Sequence, residues 1–283
     1  MIDLHTHSTV SDGSDRPERL PELAARAGCS AMAITDHDRL DGIAAAEARA
    51  REVGIELIPG CEVSCAGSPG SIHVLVYFVE PGEGPLQEEL ERLQRDRAER
   101  NRLLLARLAE LGIGVSEEDL WSETGKDGLS EVGRPHVAAV LVRKGVVRSI
   151  PEAFDQLLAK GRPAYVSKAR LGPLDVARLA RASGAAVVLA HPLSLGLPEG
   201  ELASTVAELA EGGFAGLEAY YGRYNPEERA RLVALATASG LVATGGSDYH
   251  GAYKPDLSVG VGQGDLEVPD RALEQLAARR VGA

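Results

Sequence analysis

The chain has 283 residues, 44% of them hydrophobic, and a formal net charge of −12, so it can bury a sizeable core as one large α/β domain or a domain with an insertion. It has no run of about 18 apolar residues to cross a membrane. Its acidic balance, without a Lys/Arg run, argues against duplex DNA as a partner.

Ile2-Asp3-Leu4 reads as a first strand that leads into His5-Thr6-His7. No basic leader precedes an apolar run here, so no signal peptide is expected. Asp12 lies in the loop Ser11-Asp12-Gly13-Ser14, and residues 17–27 have helical spacing. Ser30 to Thr35 reads as a buried strand that delivers Asp36-His37-Asp38. A helix over 42–53 and a strand over 55–59 follow, with Glu62 just beyond the strand, and His73 opens an apolar run to Phe78. This βαβ rhythm stops at Pro81-Gly82-Glu83-Gly84-Pro85.

From Leu86 to Leu111 the pattern predicts one or two charged amphipathic helices, and shorter helices fit 116–120, 134–144 and 150–160. Residues 85–165 therefore read as a small helical insertion or cap between two parts of one domain, 1–84 and 166–283. The rhythm then resumes, with helices over 174–183, 202–211 and 226–239 and strands over 185–190, 216–220 and 241–244. Parallel strands that feed helices place functional groups at their C-terminal ends. The three cysteines, Cys29, Cys61 and Cys65, form no CxxC pair, which suits a reduced, cytoplasmic protein.

The histidines and carboxylates gather at those strand ends. His5 and His7, spaced i, i+2, share one face of an extended segment and can reach one metal. Asp248 and His250 repeat that spacing after Gly245-Gly246, and His191 ends the strand 185–190. Taken singly, each motif is as readily a core, capping or incidental residue, and Cys61 and Cys65 read as small core residues. Taken together, HxH, DHD, Glu62, His73, His191 and DxH predict one metal cluster. Mixed nitrogen and carboxylate ligands suit Zn, Mn or Fe(II).

Asp3-Leu4-His5-Thr6-His7-Ser8, Ile34-Thr35-Asp36-His37-Asp38, Pro59-Gly60-Cys61-Glu62, His73, Ala190-His191-Pro192 and Gly246-Ser247-Asp248-Tyr249-His250 resemble the PHP (polymerase and histidinol phosphatase) superfamily. The resemblance covers both α/β portions and implies an α/β fold, a distorted (β/α)7 barrel with a small helical insertion domain, holding two or three divalent metals. It implies that His5, His7, Glu62 and Asp248 hold one metal, that Glu62 bridges to a second held with His73 and His191, and that Asp12, His37 and His250 hold a third. Asp36 stands outside that set and is expected to orient a ligand histidine through its ring N–H.

The insertion, with Gly133-Arg134-Pro135-His136, narrows the resemblance to bacterial members that act on 3′,5′-bisphosphorylated nucleotides and leave AMP. Some relatives of that type trim the 5′ ends of short RNA; histidinol-phosphate phosphatases share the barrel but are not associated with this insertion, and remain an alternative. The expected chemistry is in-line attack of a metal-bound hydroxide on a phosphate monoester. Arg134 is the first candidate for a phosphate clamp, because its planar fork matches phosphate oxygens, although an arginine before Pro135 also suits a plain helix start. His136 is expected to reach the same phosphate or to protonate the leaving oxygen. Lys168 and Arg170 are candidates to line the site's mouth, and Tyr220, Tyr221 and Tyr224 either stack on a base or pack locally. Gly245-Gly246 is expected to let backbone approach the metals. Two competing readings are a metal-stabilised binding module without turnover, which would have lost ligands, and an amidohydrolase-type enzyme, whose bridging lysine is not evident.

Overall fold

A computed structural model describes every residue except 68–70, 83, 126–127, 168–170 and 281–283. Seven strands form one sheet in chain order: β1 (Ile2–Asp3), β2 (Ala31–Ile34), β3 (Glu56–Ala66), β4 (Ser71–Tyr77), β5 (Ala186–Leu189), β6 (Gly216–Tyr221) and β7 (Val242–Gly246). The sheet nearly closes on itself. Leu4 N–H donates to Gly245 O at 3.1 Å, and Asp248 N–H donates to His5 O at 2.8 Å, which joins the first strand's end to the last.

The expectation of parallel strands holds for β1–β2–β3 and β5–β6–β7 and fails at β4, which runs antiparallel to both neighbours. Only residues 67–70 separate β3 from β4, too few for the crossover that a parallel pair needs. The same pairing extends β3 well past Pro59, where the sequence pattern predicts its end. Glu62 therefore lies inside β3 opposite Leu75, and His73 lies inside β4 opposite Ser64. Gly60 allows this passage, since a Cβ there would stand 2.7 Å from Val76 O.

The chain divides into two compact units, 1–89 with 170–283, and 90–169. In the first, Ile2, Leu4, Ile58, Leu75, Tyr77, Val188 and Val268 are buried in the main core. Helices α1 (Arg19–Ala27) and α2 (Ile43–Val53) follow the first two strands. The unit boundary falls within the long helix α3 (Pro85–Glu110), not at the Pro-Gly punctuation before it. In the second unit, α4 (Glu117–Thr124), α5 (Arg134–Arg143) and α6 (Ile150–Ala153), which runs on into a π-helical turn over Phe154–Leu158, share a core with α3 that includes Leu104, Leu108, Leu120, Val137, Leu141 and Leu158. Helices α7 (Pro173–Ala182), α8 (Glu199–Glu211), α9 (Pro226–Ala238) and α10 (Arg271–Ala277) complete the first unit. Among the described residues no helix is long and apolar enough to cross a membrane.

Leu75 is fully buried in the main core. Leu75→Ala is expected to lower unfolding free energy by about 2–5 kcal/mol, read from urea melts. A loss near zero would mean that the site collapses freely around the missing atoms.

Candidate metal centre

All nine side chains expected to bind metal lie in the first unit, and the structure brings them together. His5 and His7 leave the end of β1 pointing the same way, while Thr6 between them turns aside and donates its hydroxyl to Ala33 O at 2.7 Å. The two Nε2 atoms stand 3.1 Å apart. Glu62 Oε2 is 3.3 Å from His5 Nε2 and 3.1 Å from His7 Nε2, and Asp248 Oδ1 is 3.5 Å from each. Tetrahedral ligands around one cation at about 2.0–2.2 Å sit roughly 3.3–3.6 Å from one another. Two imidazole nitrogens that face each other cannot both be neutral acceptors and attract. A shared cation resolves the arrangement, and the donor set fits one.

The other oxygen of Glu62 faces a second group. Oε1 is 2.8 Å from His73 Nδ1 and 2.9 Å from His191 Nε2. A third group forms around Asp12: His250 Nε2 is 3.3 Å from Oδ1 and His37 Nε2 is 3.8 Å from Oδ2. His37 Nε2 also stands 3.4 Å from Glu62 Oε2. His5-His7-Glu62-Asp248, His37-Glu62-His73 and His7-Asp12-His37-His250 are each close enough to hold an ion.

The ring nitrogens turned away from the clusters are also engaged. His5 Nδ1 lies 2.8 Å from Glu218 Oε1, His191 Nδ1 lies 2.9 Å from Ser194 Oγ, His250 Nδ1 lies 2.8 Å from Asp248 O, and His37 Nδ1 lies 3.3 Å from Glu62 O. Such outer partners fix which nitrogen is free to ligate. Asp248 is held likewise: Tyr221 Oη donates to its Oδ2 at 2.7 Å, and the Lys254 ammonium pairs with the same oxygen. This leaves Oδ1 for the histidines.

Burial alone would make the carboxylates hard to ionise. For Glu62 the facing rings of His37, His73 and His5 outweigh burial and hold its pKa well below the usual range. His37 and His250 do the same for Asp12, as do Lys254, His250 and His5 for Asp248. Burial also opposes protonation of His5 and His7, but Glu218, Glu62 and Asp248 raise His5 well above its ordinary value, and Asp248 and Glu62 lift His7 to about 9. Burial wins at His37, which falls to about 3, and lowers His250 with help from Lys254. The anionic centre of the cluster thus calls for positive charge among the groups around it.

Backbone strain marks the same positions. Among non-glycine described residues, φ is positive at Asp38 (57°), Phe78 (64°), His191 (26°) and Asp248 (54°). Three of these are cluster residues or adjoin one, where surrounding contacts can hold an unfavourable conformation.

Several expectations shift. Asp36 accepts from Ser8 N–H (2.8 Å), Ser8 Oγ (2.6 Å), Ser11 N–H (3.2 Å) and Ser11 Oγ (2.6 Å), not from a histidine ring. It braces the loop before Asp12 and meets His7 only through Ser11, whose Oγ is 3.4 Å from His7 Nδ1. The ring-orienting carboxylate is Glu218, a buried acid inside the otherwise apolar strand β6. Tyr221 and Tyr224 brace the frame: the Tyr224 hydroxyl accepts from Leu193 N–H at 2.9 Å. Tyr220 packs against the core. Gly245 and Gly246 let β7 pack closely against protein backbone, since a Cβ would stand 2.2 Å from Tyr220 O or 2.3 Å from His5 N. Gly246→Ala is expected to push His5 out of place and weaken metal binding by more than about tenfold, the lower range for disturbing a ligand's support. Wild-type affinity by calorimetry would contradict that close fit.

In the second unit, the Arg134 guanidinium lies 4.7 Å from the Tyr165 ring centroid and its Nη2 donates to Val166 O at 3.3 Å. His136 is buried, and its Nδ1 accepts from Gly133 N–H at 3.1 Å at the start of α5. Lys168 and Arg170 lie outside the described residues.

The PHP domain model matches residues 3–111. The chain is 30% identical over 261 residues to a 3′,5′-nucleoside bisphosphate phosphatase of Chromobacterium violaceum, covering 92% of this chain and 90% of that protein. It is 32% identical to the 5′-3′ exoribonuclease Rnm of Escherichia coli, covering 88% of this chain and 85% of that one. Among solved structures, a protein of Bifidobacterium adolescentis assigned as a metal-dependent phosphoesterase superposes with a TM-score of 0.86 at 27% identity, over 99% of this chain and 96% of that one.

Proposed function

This chain belongs to the PHP domain family of metal-dependent phosphoesterases, and on that premise we propose that it removes the 3′-phosphate of nucleoside 3′,5′-bisphosphates, converting adenosine 3′,5′-bisphosphate to AMP. The observation that carries the reading is Glu62, whose two oxygens address two separate sets of histidines. That arrangement suits cations held side by side, one way in which phosphate esters are hydrolysed. His5, His7, Glu62 and Asp248 would hold the first cation, Glu62, His73 and His191 the second, and Asp12, His37 and His250 a third. Mn, Zn and Fe(II) all suit such ligands.

When bound, these cations would supply Lewis-acid charge for phosphoryl oxygens and lower the pKa of water towards neutrality. The chain's residues do the rest. Glu62, Asp12 and Asp248 stay ionised, Tyr221 and Lys254 fix which oxygen of Asp248 faces inward, and Glu218 and Ser194 hold the rings of His5 and His191 in place. Arg134 is the proposed phosphate clamp. His136, which holds the Gly133–Arg134 turn, is proposed to position it and to contact the same phosphate. Lys168 and Arg170 are proposed to add positive charge near the substrate.

Near full-length similarity to a bisphosphate phosphatase supports the substrate choice. Similarity to an exoribonuclease favours 5′-phosphorylated short RNA as the second reading. The reduced cysteines suit a cytoplasmic setting.

The test is phosphate release with Mn²⁺ from adenosine 3′,5′-bisphosphate, AMP, histidinol phosphate and 5′-phosphorylated RNA. Preference for the bisphosphate, leaving AMP, is expected; preference for RNA would select the second reading. Arg134→Ala is expected to reduce kcat/KM by roughly 100-fold, the scale for losing one donor to a developing anion, and Arg134→Lys to restore little of it. An unchanged kcat/KM would remove Arg134 from the site. Asp248→Asn is expected to abolish turnover; retained turnover would contradict its ligand role.

A further inference from the structure

We infer that Glu218 is a positioning residue that couples the first two metal groups by holding one ligand of each through its two oxygens. The inference rests on the ligand assignment proposed above. Glu218 is fully buried in β6, between Leu217 and Ala219, which are also fully buried. A carboxylate in such a place must have hydrogen-bond donors. It has two, from different parts of the chain. His5 Nδ1 lies 2.8 Å from Oε1, and the backbone N–H of His191 donates to Oε2 at 2.6 Å.

These two histidines face opposite oxygens of Glu62, His5 at Oε2 and His191 at Oε1. Glu62 therefore joins the two groups from within, and Glu218 joins the same pair from behind. At His5 the contact fixes the ring: with Nε2 turned to the cluster, Nδ1 carries the proton and needs an acceptor. At His191 it fixes the backbone, which sits at φ 26° and ψ 61°, a conformation an ordinary residue holds only under constraint. Pro192 follows, and the ring's far nitrogen is fastened separately to Ser194.

Only a carboxylate serves both donors. Glutamine of the same shape has one acceptor oxygen and one donor nitrogen, so in Glu218→Gln either the His5 ring or the His191 amide must face an N–H₂ group. Ligands of two sites are then disturbed by one substitution that touches neither metal. Among the described residues Glu218 holds His5 and His191, so the group formed by Asp12, His37 and His250 should be spared.

The experiment is calorimetric titration of the full chain with Mn²⁺, with folding checked by circular dichroism. Glu218→Gln is expected to weaken two binding steps by about 10–100-fold, the scale for losing an outer-shell partner, and to leave a remaining step within about threefold of wild type. Unchanged affinities would overturn the inference. So would an equal loss at every step, which would signal general loosening. If Glu218→Gln does not fold, Glu218→Asp is read by the same criteria, because its shorter stem cannot span both donors. Should wild-type protein itself bind no Mn²⁺, Zn²⁺ or Fe²⁺, the ligand assignment fails and the inference falls with it, an outcome distinct from unchanged affinities in Glu218→Gln.

Discussion

Glu62→Gln is expected to lower phosphate release by at least about 100-fold, more than the loss of an outer-shell partner, and to reduce metal bound per chain. The substitution preserves shape and changes only charge and one donor group. In the native chain Oε2 lies within 3.4 Å of rings from His5, His7 and His37, and Oε1 within 2.9 Å of rings from His73 and His191. An amide turns an N–H₂ towards one of these sets, where it can ligate no cation. It also removes the anion that the surrounding rings keep ionised against burial. Metal content and turnover should fall together. Full turnover with full metal content would show that Glu62 is not the shared ligand.

Chelation is expected to lower the melting temperature of the wild-type chain and to abolish activity, with both restored by Mn²⁺. A ligand that binds only the folded chain stabilises it by about 2.7 kcal/mol at a hundred times its Kd. For a chain of 283 residues that corresponds to about 4–5 °C. The physical source is visible in the cluster, where three buried carboxylates and facing imidazoles depend on positive charge between them. The shift should be much smaller in Glu62→Gln. An unchanged melting temperature on chelation in wild type would mean that the cluster is stable without cations.

Much of this centre was legible in the sequence because metal ligation imposes local rules. The spacing of His5 and His7, and of Asp248 and His250, put paired groups on one face of extended chain, and the strand–turn rhythm placed both pairs at strand ends. His73 falls in the apolar run that forms β4, whereas Glu62 reads as lying beyond its strand because Pro59-Gly60 looks like a stop. The β3–β4 hairpin carries the strand through it, and antiparallel pairing is a tertiary choice that periodicity does not encode. Glu218 is hard to read from sequence because a single acid in a short strand resembles an outward-facing polar residue. Its signal was its position in a strand covered on both faces, where an acid needs a reason to be buried. For Asp36, adjacency to His37 says nothing about which way its carboxylate turns, and the fold directs it to Ser8 and Ser11. The short helix α10 leaves little periodic signal, because its seven residues span barely two turns.

The most direct test is to titrate apo protein with Mn²⁺ and measure metal bound per chain and phosphate released from adenosine 3′,5′-bisphosphate in the same samples. The predicted result is no release without metal and a rise in release that tracks filling of the sites. Undiminished phosphate release from protein stripped of metal would contradict it.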